Sequence, residues 1–318
     1  MPGLNHRDAP ACGRGSDAVF SHAPLDDALL ARHLDGMALD RELVMETTST
    51  NTDLVARARV AAPLRPVLRV AQRQTQGRGR RGRRWHGSDG GALLFSLALP
   101  WQRDPAASAA VTLACGLAAA ATLQEQLDPA RARIQLKWPN DILLNDGKLA
   151  GILVELAEDG AGARTLVIGM GLNLANDADL RSRIGADQAS AQETPEAQEA
   201  PPPALAPADL AAVLGTNTVL AEREAWLARL VRALLAAAGR FDRDGFAGGP
   251  AAFAACCAYE GMAVEVHGAG GPPSTGIVRG VDALGRLLLE SAGGLQAVNS
   301  GELSVRPHAP PGGSGGPS

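Results

Sequence analysis

Cysteine is scarce in this chain: Cys12, Cys115, Cys256 and Cys257 are the only ones in 318 residues, and none stands in a C-x-x-C spacing. That pattern excludes a secreted disulfide scaffold and a thiolate zinc site, and it fits a reducing cytoplasm. An excess of one charge is missing as well. Thirty basic and 34 acidic side chains leave a formal charge of -4, so nothing global attracts nucleic acid or an anionic membrane, and any basic function has to be local. The N-terminal MPGLNHRDAPACGRGSD lacks the apolar core of a signal peptide. No uninterrupted apolar run elsewhere reads as long enough to cross a bilayer, so a cytoplasmic protein is expected, neither exported nor embedded. No phosphate loop of the GxxxxGK[ST] form occurs. Between Leu25 and Thr48 there is room for one short helix and a strand, LVMET, but not for a three-helix DNA-reading domain.

What is present suffices for folding. With 46% hydrophobic and 20% charged residues, the chain can bury one substantial core and a smaller second one. Residues 1–24 mix Pro, Gly, Asp and His without periodicity, which predicts a disordered leader. From Leu43 to Leu174 the β-like runs PVLRVAQ, ALLFSLAL, RIQLKW, DILLN, LAGILVEL and TLVIGMGL alternate with two helical stretches, one after Ser49 and one across 107–127. The period of two in Leu93, Phe95, Leu97 and Leu99 places one face of that strand against a core. The segment SAAVTLACGLAAAATLQEQL reads as a closely packed helix.

Residues 178–207 are dominated by Ala, Gln, Glu and Pro, too poor in large apolar groups to offset ordering entropy; a mobile loop remote from chemistry is expected there. The amphipathic AEREAWLARLVRALLAAAGRF follows. After residue 260 the runs MAVEVHG, STGIVRGVD, GRLLLE, LQAVNS and ELSVR, separated by Gly-rich turns, predict a small β-barrel. The expected organisation is a leader (1–24), a main α+β domain (25–258) carrying the loop, a barrel (259–306) and a disordered tail (307–318).

One stretch carries an unusual chemistry. Between Gln74 and Gly91 the chain packs five arginines and six glycines, QTQGRGRRGRRWHGSDGG, into the link between two expected strands. Glycines let backbone N–H groups approach an anion, and arginines offer permanently charged forks for carboxylate or phosphate oxygens. A solvated basic loop or an RNA contact would use the same residues. However, this loop has a single aromatic, Trp85, and sits inside a folded domain of an acidic protein, whereas sequence-tolerant RNA binders interleave several aromatics. A lid for a small anionic ligand is the better reading.

Three further segments stand in order around it: TTSTNTDL at 47–54, KWPNDILLNDGKLAGILVEL at 137–156 and VIGMGLNL at 167–174. Together with GRGRRGRRW they resemble the catalytic domain of biotin protein ligases. The resemblance covers roughly residues 43–306, since that family also ends in a small SH3-like barrel. It implies a class II synthetase-like mixed sheet with flanking helices, and an activity that joins biotin to a lysine of a carboxylase's biotin carboxyl carrier protein or domain, using ATP with Mg²⁺. It departs at 178–207, which looks like an insertion, and in having no winged helix ahead of the catalytic domain, which disfavours a repressor role. A lipoate or other acyl-acid ligase on the same scaffold, and a nucleic-acid module using the arginine loop, are the competing readings.

The resemblance also assigns residues. Ser49, Thr50, Asn51 and Gln74 would hydrogen-bond the ureido end of biotin, Ser49 and Thr50 serving equally as helix caps. Arg78, Gly79 and Arg80 would close over the carboxylate and the phosphate that replaces it. Lys148 would neutralise charge developing on the phosphoryl oxygens, with Arg78 and Arg80 assisting. Arg80, Arg81, Trp85, Lys137, Asn140 and Asn173 would face the nucleotide. Asp141 would either bind Mg²⁺ or orient Lys148. Trp138 reads as core, His86 as an exposed polar residue, and Cys256 and Cys257 as core thiols on a helix. Monomer and weak homodimer remain equally open.

Overall fold

The computed structural model describes residues 24–192, 205–267, 274–299 and 304–307; most of the expected leader and tail, and the middle of the Ala/Pro/Gln-rich segment, lie outside them. The helices are α1 Asp27–His33, α2 Thr50–Val60, α3 Ser108–Gln124, α4 Leu180–Gln192, α5 Ala211–Leu214, α6 Thr216–Ala221, α7 Arg223–Asp244 and α8 Gly249–Cys256. The strands are β1 Asp40–Thr47, β2 Val67–Gln74, β3 Ala92–Trp101, β4 Ile134–Lys137, β5 Asp141–Leu144, β6 Gly147–Glu158, β7 Arg164–Asn173, β8 Ala263–His267, β9 Ser274–Val281, β10 Leu287–Ser291, β11 Gly294–Val298 and β12 Ser304–Pro307.

Seven strands form one mixed sheet in the order β1-β2-β3-β7-β6-β5-β4, with β1–β2 parallel and the other pairs antiparallel. Alternation along each strand sorts side chains between its faces. One face carries Leu93, Phe95, Leu97, Ile152, Leu166, Ile168 and Leu172, all buried in a single cluster with Val111 and Leu123 of α3 and Leu227, Val231 and Leu234 of α7. On the other face α2 covers only one end, through Leu54, Val55 and Ala58 against Ala98, Ala157 and Val167. The uncovered remainder of that face is where the site lies.

One expectation is extended here and another changes. Strand β3 is buried on both faces, because α2 covers Ala98 on the side opposite Leu93, Phe95 and Leu97, and Leu94 and Ser96 are buried on that side too. The segment Pro105–Gln124 is long and apolar enough to cross a bilayer, contrary to the reading that no such run exists. In the fold it is the core helix α3: its Ala, Gly and Cys positions are small, Gly116 lies against Leu136, and Val111, Leu113, Cys115, Ala119 and Leu123 are buried.

The remaining strands form a five-stranded antiparallel sheet, β11-β10-β9-β8-β12, in the places expected for the terminal barrel. Val264, Val266, Val278, Val281, Leu287 and Leu289 belong to the same buried cluster as the main sheet. The seam is specific. Trp138 is 2% exposed and donates its indole N–H to Gly285 O at 3.0 Å. Gly285 has φ +76°, and a Cβ there would stand 2.8 Å from Ala110 Cα of α3. Gly285→Ala should therefore cost about 1–3 kcal/mol of unfolding free energy, from the left-handed backbone and the clash. Chemical denaturation checks this, and an unchanged midpoint would show that the turn is not seated on α3.

Candidate active site

The site is a cavity of about 580 Å³ over the open half of the sheet, within the usual range for small-molecule sites. Its floor is almost bare backbone. Register pairs Gly151 with Gly171, Leu153 with Gly169, and Ser96 with Gly169. A Cβ on Gly169 would lie 2.4 Å from Asn51 Oδ1, and one on Gly171 would lie 2.3 Å from Trp85 Cε2. An amide and an indole thus occupy space that any larger residue would take.

At one end, β1 runs into α2 through Ser49, Thr50 and Asn51, all buried. Ser49 is the N-cap, accepting from Thr52 N at 3.4 Å. Gln74 Oε1 accepts from Thr50 N at 2.7 Å and from Thr50 Oγ1 at 3.0 Å, and Thr50 Oγ1 lies 2.8 Å from Ser96 Oγ. With its carbonyl so engaged, Gln74 turns its amide nitrogen toward Gly77. Asn51 donates through Nδ2 to Glu155 Oε2 at 2.6 Å. Its Oδ1 is buried and has no partner among the described residues.

The other end is cationic. Lys148 Nζ lies 2.8 Å from Asp141 Oδ1 and 5.4 Å from the centroid of the Trp85 ring, and the buried Lys137 reaches Asp141 Oδ2 at 3.7 Å. Partial burial, and then repulsion from Arg81 and Arg83, lower the pKa of the Arg80 guanidinium, while Asp141 opposes the shift. The backbone of Lys148 is held by the end of the segment expected to be a loop and the residue just past it: its N–H donates to Ala206 O at 2.8 Å and its carbonyl accepts from Ala208 N at 2.9 Å. Asn173 Nδ2 donates to Ala208 O at 3.0 Å, leaving its buried Oδ1 without a partner among the described residues. Asn140 Nδ2 donates to Ile152 O at 2.9 Å, tying the β4–β5 turn to β6.

The arginine loop folds on itself as a narrow hairpin. Trp85 N donates to Gly77 O at 2.8 Å and Gly79 N to Arg83 O at 2.7 Å, with Arg81 (φ 60°) and Gly82 (φ 70°) turning the chain. Arg80, Trp85 and Gly79 face the cavity, while Arg78 stands at its rim, 3.2 Å from Glu155 Oε1. His86 is not the exposed residue expected: its Nε2 lies 2.6 Å from Asp187 Oδ2, and its side chain keeps 15% of its exposure. Asp187 belongs to α4. The expectation of a mobile segment remote from chemistry therefore fails for its described parts, because 180–192 are helical and Leu180, Ile184, Asp187, Leu205 and Pro207 line the cavity. Residues 193–204 lie outside the described residues.

The donor set at Asp141 does not suit a protein-held divalent cation. One carboxylate already faces two ammonium groups, and no group of three His, Cys, Asp or Glu side chains occurs among the described residues. The cysteines among the described residues are likewise unsuited to nucleophilic work: burial raises the pKa of all three thiols, pushing Cys115 up to about 12 and Cys257 to about 11.

Comparison with known proteins agrees with this geometry. Residues 44–173 match the model of the Biotin/lipoate A/B protein ligase family, and residues 261–306 match the Biotin protein ligase C terminal domain. A Biotin--[acetyl-CoA-carboxylase] ligase of Mycobacterium tuberculosis is 31% identical over 88% of this chain and 95% of its own length. The chain belongs to the biotin protein ligases. A ligase of the same name from Paracoccus denitrificans is 33% identical over 82% of this chain and 98% of its own. Among solved structures, the biotin protein ligase from Aquifex aeolicus in complex with biotin and ATP superposes with a TM-score of 0.61 at 25% identity, covering 85% of this chain and 99% of that one.

All the residues singled out by the ligase motifs meet around one cavity: Ser49, Thr50, Asn51 and Gln74 at the polar end, Lys137, Asn140, Asp141, Lys148 and Asn173 at the other, with Arg78, Gly79, Arg80, Arg81 and Trp85 along the hairpin. Sequence reasoning missed the glycine floor, although the alternation in VIGMGLN signals it. It also missed Ser96, Glu155 and the contribution of α4. Gly171→Ala should displace the Trp85 indole and loosen the hairpin. Tryptic cleavage after Arg78–Arg84 should accelerate several-fold at unchanged secondary structure, and an unaltered cleavage rate would show that the indole does not anchor the loop.

Proposed function

We propose that this protein activates biotin with ATP to biotinyl-5'-AMP, releasing pyrophosphate, and then transfers the biotinyl group to one lysine of a biotin carboxyl carrier protein or domain of a carboxylase, in the cytoplasm. The observation that carries this reading is the polarity of the cavity, with neutral amides and hydroxyls at Ser49–Asn51 and Gln74 and cations at Lys148, Lys137 and Arg80. A ureido ring needs donors for its carbonyl and an acceptor for its N–H groups; a carboxylate and a triphosphate need positive charge.

In the first step a biotin carboxylate oxygen attacks the α-phosphorus of ATP, and the bond from that phosphorus to the pyrophosphate oxygen breaks. No protein nucleophile takes part, so the protein's contribution is to bring two anions together and stabilise the charge that builds on the phosphoryl oxygens. Lys148 takes this role in our reading, supported by its ammonium lying 2.8 Å from Asp141 Oδ1 and by the hydrogen bonds of its backbone to Ala206 and Ala208. Arg80 and Arg78 approach from the hairpin. Trp85, Arg81, Lys137, Asn140 and Asn173 form the nucleotide side, and the bonds made by Asn140 and Asn173 fix the backbone there. Mg²⁺ would arrive with the ATP phosphates, whose charge it offsets. In the second step the carrier's lysine amine attacks the acyl carbonyl, AMP departs and the amine's proton passes to solvent. The hairpin and α4 would shield the mixed anhydride from water in between.

The test is the intact mass of an apo carrier domain after incubation with the protein, Mg²⁺ and ATP, in parallel with biotin and with lipoate. A biotin-sized increment that requires ATP is expected, with its rate lowered at least roughly hundredfold in Lys148→Ala. Modification by lipoate alone would overturn the substrate, and no modification with either would overturn the ligase reading.

A further inference from the structure

One acidic side chain outside the cavity wall holds two of its polar members at once. Glu155 sits on β6 opposite Val167 of β7. Its Oε2 accepts from Asn51 Nδ2 at 2.6 Å, and its Oε1 lies 3.2 Å from Arg78 NH1, which also donates to Thr52 Oγ1 at 3.4 Å. An ionised carboxylate only accepts hydrogen bonds, so this contact decides which end of the Asn51 amide faces it. The NH₂ group must point to Glu155, and Oδ1 must point the other way, against the bare Cα of Gly169 on the cavity floor. There it is buried without a partner among the described residues. A buried acceptor left unsatisfied is costly, which makes this oxygen a place where a ligand N–H contributes most.

We infer that Glu155 is a positioning residue, fixing Asn51 with its carbonyl oxygen toward the cavity as the acceptor for a ureido N–H and holding Arg78 at the same end. The inference rests on the biotin reading and deepens it. It supplies a chemical ground for selectivity: the dithiolane ring of lipoate has no N–H group, and its entry would leave Asn51 Oδ1 unsatisfied. Reversing the amide to suit such a ligand would set Oδ1 against the Glu155 carboxylate, acceptor against acceptor.

Calorimetric titration of the full chain with biotin, together with pyrophosphate release at saturating ATP, tests this in Glu155→Leu, Glu155→Gln and Asn51→Ala. In Glu155→Leu the amide is free to turn, so the Kd and KM for biotin should rise roughly ten- to hundredfold, while the KM for ATP stays unmoved and kcat at saturating biotin falls by no more than roughly threefold as Arg78 loses its partner. Glu155→Gln keeps a carbonyl acceptor for Asn51 and loses only a half-exposed charge pair, so biotin affinity should recover to within roughly fivefold of the parent. Asn51→Ala should lose affinity by a factor comparable to Glu155→Leu, which keeps the test open if that variant does not fold. Parent-like biotin binding in Glu155→Leu or Asn51→Ala overturns the role of Glu155 alone, as does a fall in kcat with KM unmoved. A parent chain that binds no biotin overturns the ligase reading and this inference with it.

Discussion

The site depends on the pairing of β6 with β7. Antiparallel register sets Gly151 opposite Gly171 and Leu153 opposite Gly169, and the period of two sends Ala150, Ile152, Ile168, Met170 and Leu172 to the far face. One sheet thereby carries a dense apolar core on one side and an exposed strip of main chain on the other. A shift of one residue would put Ile168 and Met170 into the cavity and the glycines into the core. The apolar packing of α3 and α7 against the core face therefore fixes the register, and through it the floor on which Asn51 and Trp85 rest.

Around that floor, positive charge is concentrated at a cost the fold limits locally. Lys148, Lys137 and Arg80 share the neighbourhood of a single carboxylate, Asp141. Burial and like-charged neighbours lower the pKa of the Arg80 guanidinium. The mutual repulsion within such a cluster favours the binding of anions. The arginine hairpin adds the remaining charge from a backbone that closes through two main-chain hydrogen bonds near the sheet.

Much of this was legible in the sequence because it is local. The Ser49 cap, the strand runs, the Ala-rich core helix and the KWPND and KLAGILVE segments are contiguous patterns, and each element formed where its pattern lies. What was not legible is carried by pairs distant in the chain. His86 and Asp187 are 101 residues apart, and Asn51 and Glu155 are 104 apart, so neither periodicity nor composition could reveal them. Helix α4 is the clearest case. Its composition is that of a loop, with few large apolar groups; it is anchored to the end of the arginine loop by Arg183 NH1 to Gly87 O at 3.2 Å and by the Asp187–His86 bond, and to the segment just before it by Arg183 NH2 to Asp177 Oδ2 at 2.6 Å. Tertiary contacts, rather than intrinsic propensity, hold it in place.

The turn at Gly285 bears on how the two sheets can be separated. Because Trp138 bonds to that turn next to Lys137, and because the valines of the terminal sheet share one apolar cluster with α3 and β4, the terminal sheet is not a detachable module. Melting it would strip the support from one wall of the cavity, so the two sheets should unfold as one cooperative unit. In heredity the same seam sets the terms: a chain that exchanged or shed its terminal sheet would have to find new cover for Trp138 and α3.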